Sequence, residues 1–172
     1  MKILFTIAMI VFISSCATTS GTQPIVGFSG FDNAKTVSIQ AHGNACSSLV
    51  CTGLGAKWNS SNPERAILTV KIFNEYTAIS EAKINIDGKK ISLLSSTSVT
   101  DFSEPRSVMK TSKRGFGVPL SVIEEILSAK RAWLRVYTPT GYIEDAIIEG
   151  DKDSKAFHAL SRFMKAINSP GL

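Results

Sequence analysis

The side chains best suited to covalent chemistry are His42, Cys46 and Cys51. A thiolate nucleophile needs a nearby base, and a cysteine close in sequence to a histidine supplies both types. Asp145 and His42 are the residues a hydrolase reading would test first. The acidic pairs Glu124/Glu125 and Glu144/Asp145 are sequence neighbours. Adjacent residues on a strand point to opposite faces, so Glu144 and Asp145 cannot flank one glycosidic bond. Partial burial of Asp145, with an ion pair to Arg135 across a hairpin, explains that carboxylate equally well.

Metal and cofactor chemistry find little support. A zinc site needs three or four converging ligands, and the only histidines are His42 and His158. His158 is expected at the surface of a helix. Gly53-Leu54-Gly55 lacks the third glycine of a dinucleotide loop, and no G-K-[ST] follows it. G-x-S-x-G and S-x-x-K are absent as well. No catalytic set, metal or cofactor is therefore assigned.

Gly53 and Gly55 read as a tight turn or as a backbone packed closely against Trp58, and a recognition loop is the alternative. His42, Asn44, Gly53, Gly55 and Trp58 combine polar side chains, tight turns and an aromatic face, the ingredients of a small-ligand or glycan site. A second candidate is the basic run Arg106, Lys110, Lys113 and Arg114, with Phe102 and Phe116 nearby. It reads either as a solvated loop or as a dock for a membrane surface or an acidic partner. The whole chain carries 19 Lys+Arg against 14 Asp+Glu, a net charge of +5. That excess is spread along the sequence, unlike the clustered charge of a nucleic-acid binder, so no nucleic-acid partner is expected.

The N-terminus supplies an address. Lys2 precedes an apolar run over residues 3–13, broken only by Thr6. The run is too short for a membrane-spanning helix, which needs roughly 20 residues, and it fits the apolar core of a secretory signal. Ile13-Ser14-Ser15-Cys16 then resembles the bacterial lipobox. The resemblance covers the first 16 residues only. It implies cleavage before Cys16, lipid attached to that cysteine, and anchoring in a membrane. Acyl chains contribute about 0.8 kcal/mol per buried methylene, and two chains make an anchor stable. An Asp after the cysteine commonly retains such proteins in the inner membrane. Ala17 stands there and favours the outer membrane, facing the periplasm. The competing reading is an ordinary secretory signal cut near Ala17. Beyond its lipobox the chain resembles the broad class of small bacterial lipoproteins, to which no named activity attaches.

With Cys16 lipidated, Cys46 and Cys51 are the remaining thiols. In an exported chain such a pair points to a disulfide, which removes the thiolate reading. The short loop it closes is worth only about 2 kcal/mol.

Residues 16–34 are rich in Thr, Ser and Gly and read as a flexible tether between the signal, residues 1–15, and one globular domain, residues 35–172. Alternation predicts a strand over residues 36–40 and another over residues 65–73, where both faces are partly apolar and a central place in a sheet follows. Ala82, Ile84 and Ile86 alternate with polar residues before Asp87-Gly88, a favoured tight turn, and Ile91 begins the return strand. Residues 42–58 read as loop. Residues 95–118 read as a polar stretch with a short strand near 107–111. Ser121 and Glu124 form a capping-box pattern ahead of a helix over residues 122–129. Residues 132–138 and 142–149 form a second hairpin across Pro139-Thr140-Gly141. Phe157, Leu160, Met164 and Ile167 stripe a terminal helix over residues 154–168, opened by Asp151 or Asp153 and closed by Ser169-Pro170-Gly171. The expected fold is α+β: an antiparallel sheet of hairpins with a short helix and a C-terminal amphipathic helix packed on it. The alternative is a β-sandwich with added helices. The expected role is a membrane-anchored envelope protein that binds a protein or glycan partner, or serves a structural purpose.

Overall fold

The computed structural model describes residues 22–104 and 107–169. Cys16, the signal segment, Arg106 and the Pro170-Gly171 stop lie outside the described residues.

The strands fall into two antiparallel sheets. The seven-stranded sheet contains β1 (Ile25–Phe28), β2 (Lys35–Gly43), β3 (Cys51–Asn59), β4 (Arg65–Phe73), β7 (Leu94–Ser95), β8 (Asp101–Phe102) and β9 (Thr111–Pro119), in the order β1-β2-β3-β4-β9-β7 with β8 also on β9. The five-stranded sheet runs β12 (Lys152–Asp153), β11 (Gly141–Glu149), β10 (Arg131–Thr138), β5 (Glu81–Ile86), β6 (Lys89–Ser92). Two helices complete the fold, α1 (Leu120–Ser128) and α2 (Lys155–Asn168). One apolar cluster joins Leu54, Leu68, Ile72 and Phe116 of the larger sheet to Ile84 and Leu134 of the smaller one and to Ile123, Leu160 and Phe163 of the helices. The chain crosses between sheets at Leu93, a buried residue between β6 and β7.

Several elements follow the local pattern. β4 keeps the expected bounds and lies between β3 and β9, which explains why both of its faces are partly apolar. In the β5–β6 turn Asp87 and Gly88 both have positive φ, 47° and 94°, as a tight turn of this type demands. Pro139-Thr140 turns β10 into β11, with Thr138 paired to Gly141.

Elsewhere tertiary pairing overrides the local reading. Ile25–Phe28, placed in the tether from sequence, pairs with β2 as an edge strand. The segment read as loop contains β3, a nine-residue strand buried between β2 and β4. Its glycines serve close packing: a Cβ on Gly55 would lie 2.6 Å from the Ala41 nitrogen and the Ile39 oxygen, and one on Gly53 would lie 2.4 Å from the His42 oxygen. Both contacts arise where β2 bulges between Ile39 and His42. The polar stretch likewise contains β9, nine residues paired along the whole of β4.

The capping box does not form. Ser121 sits inside α1, whose N-cap is Pro119 without a side-chain bond. β9 runs directly into the helix, and the Leu120 N–H donates to the Glu64 carbonyl at 2.8 Å, so pairing with the chain before β4 sets the helix start. α2 is opened by Ser154, whose Oγ accepts from the Phe157 N–H at 3.1 Å, in place of either aspartate. Its far end is held by Lys35 Nζ, which donates to the Ala166, Ile167 and Ser169 carbonyls at 2.9, 3.1 and 2.7 Å. A cation there satisfies orphan carbonyls and complements the helix dipole. α2 packs on β2 and β3 and meets α1.

Candidate functional site

The five residues of the expected recognition loop do not converge. Trp58 is paired with Val37 and Ala66, whereas His42 is paired with Leu54. Four residues of strand separate Leu54 from Trp58, about 13 Å. The indole Nε1 donates to the Pro63 carbonyl at 3.0 Å, so Trp58 is a partly buried packing residue at its strand's end. The His42 ring is engaged on both sides: Nε2 accepts from the Thr22 N–H at 3.0 Å, which leaves Nδ1 to donate to the Gln40 carbonyl at 2.8 Å. Gly53 and Gly55 face away from the core, beneath the outer surface of the sheet.

Around the cysteines the structure builds a seam between the sheets. Cys46 and Cys51 lie at disulfide distance, with Cα atoms 5.4 Å apart. Beneath them Asn44 Nδ2 donates to Thr52 Oγ1 at 2.9 Å. Thr52 in turn donates to Asp145 Oδ2 twice, from its N–H at 2.7 Å and from Oγ1 at 2.8 Å. The Ala45 N–H donates to the Ala146 carbonyl at 2.8 Å. Asp145 is 2% exposed and sits opposite Leu134, so it faces inward from β11 and ties it to β3. Burial pushes its carboxyl pKa up, against the pull of the Thr52 hydrogen bonds. The expected Asp145–Arg135 pair is not formed. Arg135 binds Glu144, its cross-strand partner on the outer face, since side chains alternate along the strands.

The strongest candidate for binding is a trough on the outer face of the seven-stranded sheet. Strand register sets its centre: Gly55, Thr69 and Gly115 form one row across β3, β4 and β9, of which Thr69 and Gly115 line the trough. The β2 backbone at Ile39 and Ala41 lies over Gly55. Ser96 and Thr97 lean over Gly115, and Ser38 and Gln40 line the opposite side. The trough encloses about 460 Å³. One row further, Lys71 and Lys113 stand directly opposite each other on β4 and β9, with Asp101 of β8 paired beyond Lys113. Lys57 lines the same trough, which continues past Ile67 towards Arg65 and Gly117. Among the described residues no carboxylate lies within ion-pair distance of Lys57, Lys71 or Lys113. Lys71 Nζ rests 5.0 Å from the centre of the Phe73 ring. Burial, and then the neighbouring Lys113 ammonium, hold its pKa below the usual lysine range.

Sequence reading missed this site because only Lys113 and Arg114 of the trough stood out, as part of a basic run. That run is divided by strand alternation. Lys113 faces the trough, while Arg114 reaches back to the Ile79, Ser80 and Thr97 carbonyls. Lys110 lies before β9, with Nζ 6.0 Å from the centre of the Tyr76 ring.

The outer face of the five-stranded sheet is chemically different. Arg131, Trp133, Arg135 and Tyr137 alternate along β10, flanked by Lys83 of β5 and by Tyr142 and Glu144 of β11. Each cation has a partner: Arg131 binds Glu149 at 2.9 Å, Arg135 binds Glu144 and lies 4.4 Å from the centre of the Tyr142 ring, and Lys83 binds Glu81 at 3.2 Å. Trp133 Nε1 donates to Glu149. His158 pairs with Asp153 at 3.0 Å, as a helix-surface histidine can. Among the described residues no group of three or more His, Cys, Asp or Glu side chains gathers as a metal site would require.

No family model matches the chain, and no curated protein or solved structure matches it at a significant level.

Proposed function

We propose that the protein is an exported envelope protein anchored by lipid on Cys16, with a non-catalytic α+β domain that binds a partner through its larger sheet. The observation that carries the binding role is the trough. Thr69 and Gly115, beside lysines that have no ion-pair partner among the described residues, leave the sheet face open to a ligand. The groups that would otherwise support catalysis have structural employment: Asp145 accepts from Thr52, and Cys46 lies at disulfide distance from Cys51. The address rests on the Ile13-Ser14-Ser15-Cys16 motif behind an apolar run, with Ala17 favouring the outer membrane facing the periplasm. Among the described residues no helix is long and apolar enough to cross a membrane.

Two measurements test this reading in bacterial cells. Palmitate should label the chain and hold it in the membrane fraction, and both should be lost in Cys16→Ser. A Cys16→Ser chain that still takes up palmitate overturns the anchor. A photo-crosslinking residue at Thr69 should capture a partner that one at Lys90, on the other sheet, does not. Equal capture at both positions overturns the trough as the binding surface.

A second reading, glycan binding, is favoured by the Trp133, Tyr137 and Tyr142 surface rather than by Trp58. Aromatic faces bordered by fixed polar groups suit the alternating apolar and hydroxyl surfaces of a sugar. Oligosaccharide quenching of tryptophan fluorescence that survives Trp58→Phe and disappears in Trp133→Phe supports it. Quenching that follows Trp58 removes it.

A further inference from the structure

The trough holds donors in excess of acceptors. Three ammonium groups, Lys57, Lys71 and Lys113, share it with the hydroxyls of Ser38, Thr69, Ser96 and Thr97, and Asp101 is the one carboxylate among its lining residues. Like charges directly opposite on neighbouring strands destabilise a sheet. Lys71 and Lys113 are nevertheless opposed, at a position where Lys71 lies half-buried beside the Phe73 ring and opposite Gly53. A cation would be repelled here, and a neutral apolar ligand would strip water from the ammonium groups without replacing it. An anion relieves both the repulsion and the loss of water.

The donor geometry selects among anions. A carboxylate is planar and is matched best by the fork of an arginine, whereas lysine acts as a point charge suited to phosphate. A phosphate monoester carries about −1.5 to −2 charge at pH 7 and three strong acceptor oxygens. Two ammonium groups and the Thr69 hydroxyl one row away match that charge and that acceptor number.

We infer that Lys71 and Lys113 clamp the phosphate group of a hydroxylated phosphomonoester, whose carrier lies along β4 over Thr69 and Gly115 towards Lys57. This deepens the reading of the trough as the binding surface and rests on it. The phosphate can belong to a soluble ester or to a lipid headgroup, since the clamp addresses the same oxygens in each.

The test uses the full chain with Cys16 intact, held in neutral detergent at low salt and followed by amide NMR and calorimetry. Inorganic phosphate and glucose 6-phosphate should shift the amides of Gly55, Thr69, Lys71, Lys113 and Gly115, while glucose should not. Lys71→Gln and Lys113→Gln should each weaken binding about tenfold, and Lys90→Gln should leave it unchanged. Dihexanoyl phosphatidic acid, below the concentration at which it forms micelles, distinguishes the sources. Binding tighter than that of glucose 6-phosphate assigns the lipid headgroup, and the reverse assigns the soluble ester. Phosphate shifts that are absent, or that persist unchanged in both glutamine variants, overturn the inference. If the Thr69 crosslink still captures a partner in that event, the trough remains a binding surface and only the phosphate assignment falls. Loss of both removes the surface itself.

Discussion

The two outer sheet faces are built from the same kinds of residue and use them in opposite ways. On the five-stranded sheet, Lys83, Arg131 and Arg135 each have a glutamate within reach and a ring beside them. On the seven-stranded sheet, Lys57, Lys71 and Lys113 have no carboxylate within ion-pair distance among the described residues, and two of them oppose each other. Like charges opposed across strands destabilise a sheet; glutamates offset that repulsion on the first face, and no ion pair among the described residues offsets it between Lys71 and Lys113 on the second. Counting charges would not separate the two. The carboxylate within reach does: Lys83 and Arg135 also stand opposite each other, but each holds a glutamate.

That contrast depends on the sheets keeping their places, and Asp145 joins them. The largest expected effect is therefore that of Asp145→Ala, which leaves the buried Thr52 N–H and hydroxyl without their acceptor. Urea unfolding should show a loss of roughly 2–6 kcal/mol, from about 1–3 for each of the two stranded donors. A loss no larger than that of an exposed alanine substitution would mean the seam does not hold the faces together.

The same carboxyl has a pH signature. Its folded pKa lies above the ordinary 3.8 because burial disfavours the charged form. The folded state thus keeps the proton longer than the unfolded state, and stability falls as pH rises from 3.8 through the folded value. Measured against Asp145→Asn, which cancels the other titrating groups, the wild-type protein should lose ground across that window and stay level above it. A difference that is flat throughout would mean that the Thr52 hydrogen bonds fully offset the effect of burial.

Breaking the Cys46–Cys51 link should have a smaller effect. Reduction, or the double serine variant, is expected to cost about 2 kcal/mol by the chain-entropy argument for so short a loop. Amide shifts should stay confined to the Asn44–Thr52 corner. Shifts reaching Thr69 or Gly115 would couple that corner to the trough.

The smallest change tests the contrast most directly. Lys71→Gln removes a like-charge opposition while leaving Lys113 its Asp101 neighbour, and should stabilise the domain by a few tenths of a kcal/mol at low salt, a gain that fades as salt screens the charges. Arg135→Gln on the other face should do the opposite, since it removes a partner from Glu144. If both substitutions destabilise, the lysine pair is satisfied within the protein and the two faces are alike.

Much of the fold was legible because it depends on neighbours close in the chain. The alternation of Leu68, Val70 and Ile72, the Asp87-Gly88 turn and the stripe of Phe157, Leu160 and Met164 on α2 all announce themselves within a few residues. β3 was hidden because glycine weakens a strand by its local preference. Only the bulge in β2, pressing on Gly53 and Gly55, shows why glycine is required there. β9 was hidden because its inward residues Ser112 and Arg114 are polar, each satisfied by partners far away in sequence.

The sequence by itself determined the candidate anchor motif at Cys16, the nearness of Cys46 to Cys51, and the faces of β4, β5 and α2, because each is written in adjacent residues. Only the tertiary structure decided that Asp145 meets Thr52 and that Lys71 stands against Lys113. Those encounters are set by register between strands that are distant along the chain. A one-residue slip would turn each side chain to the other face.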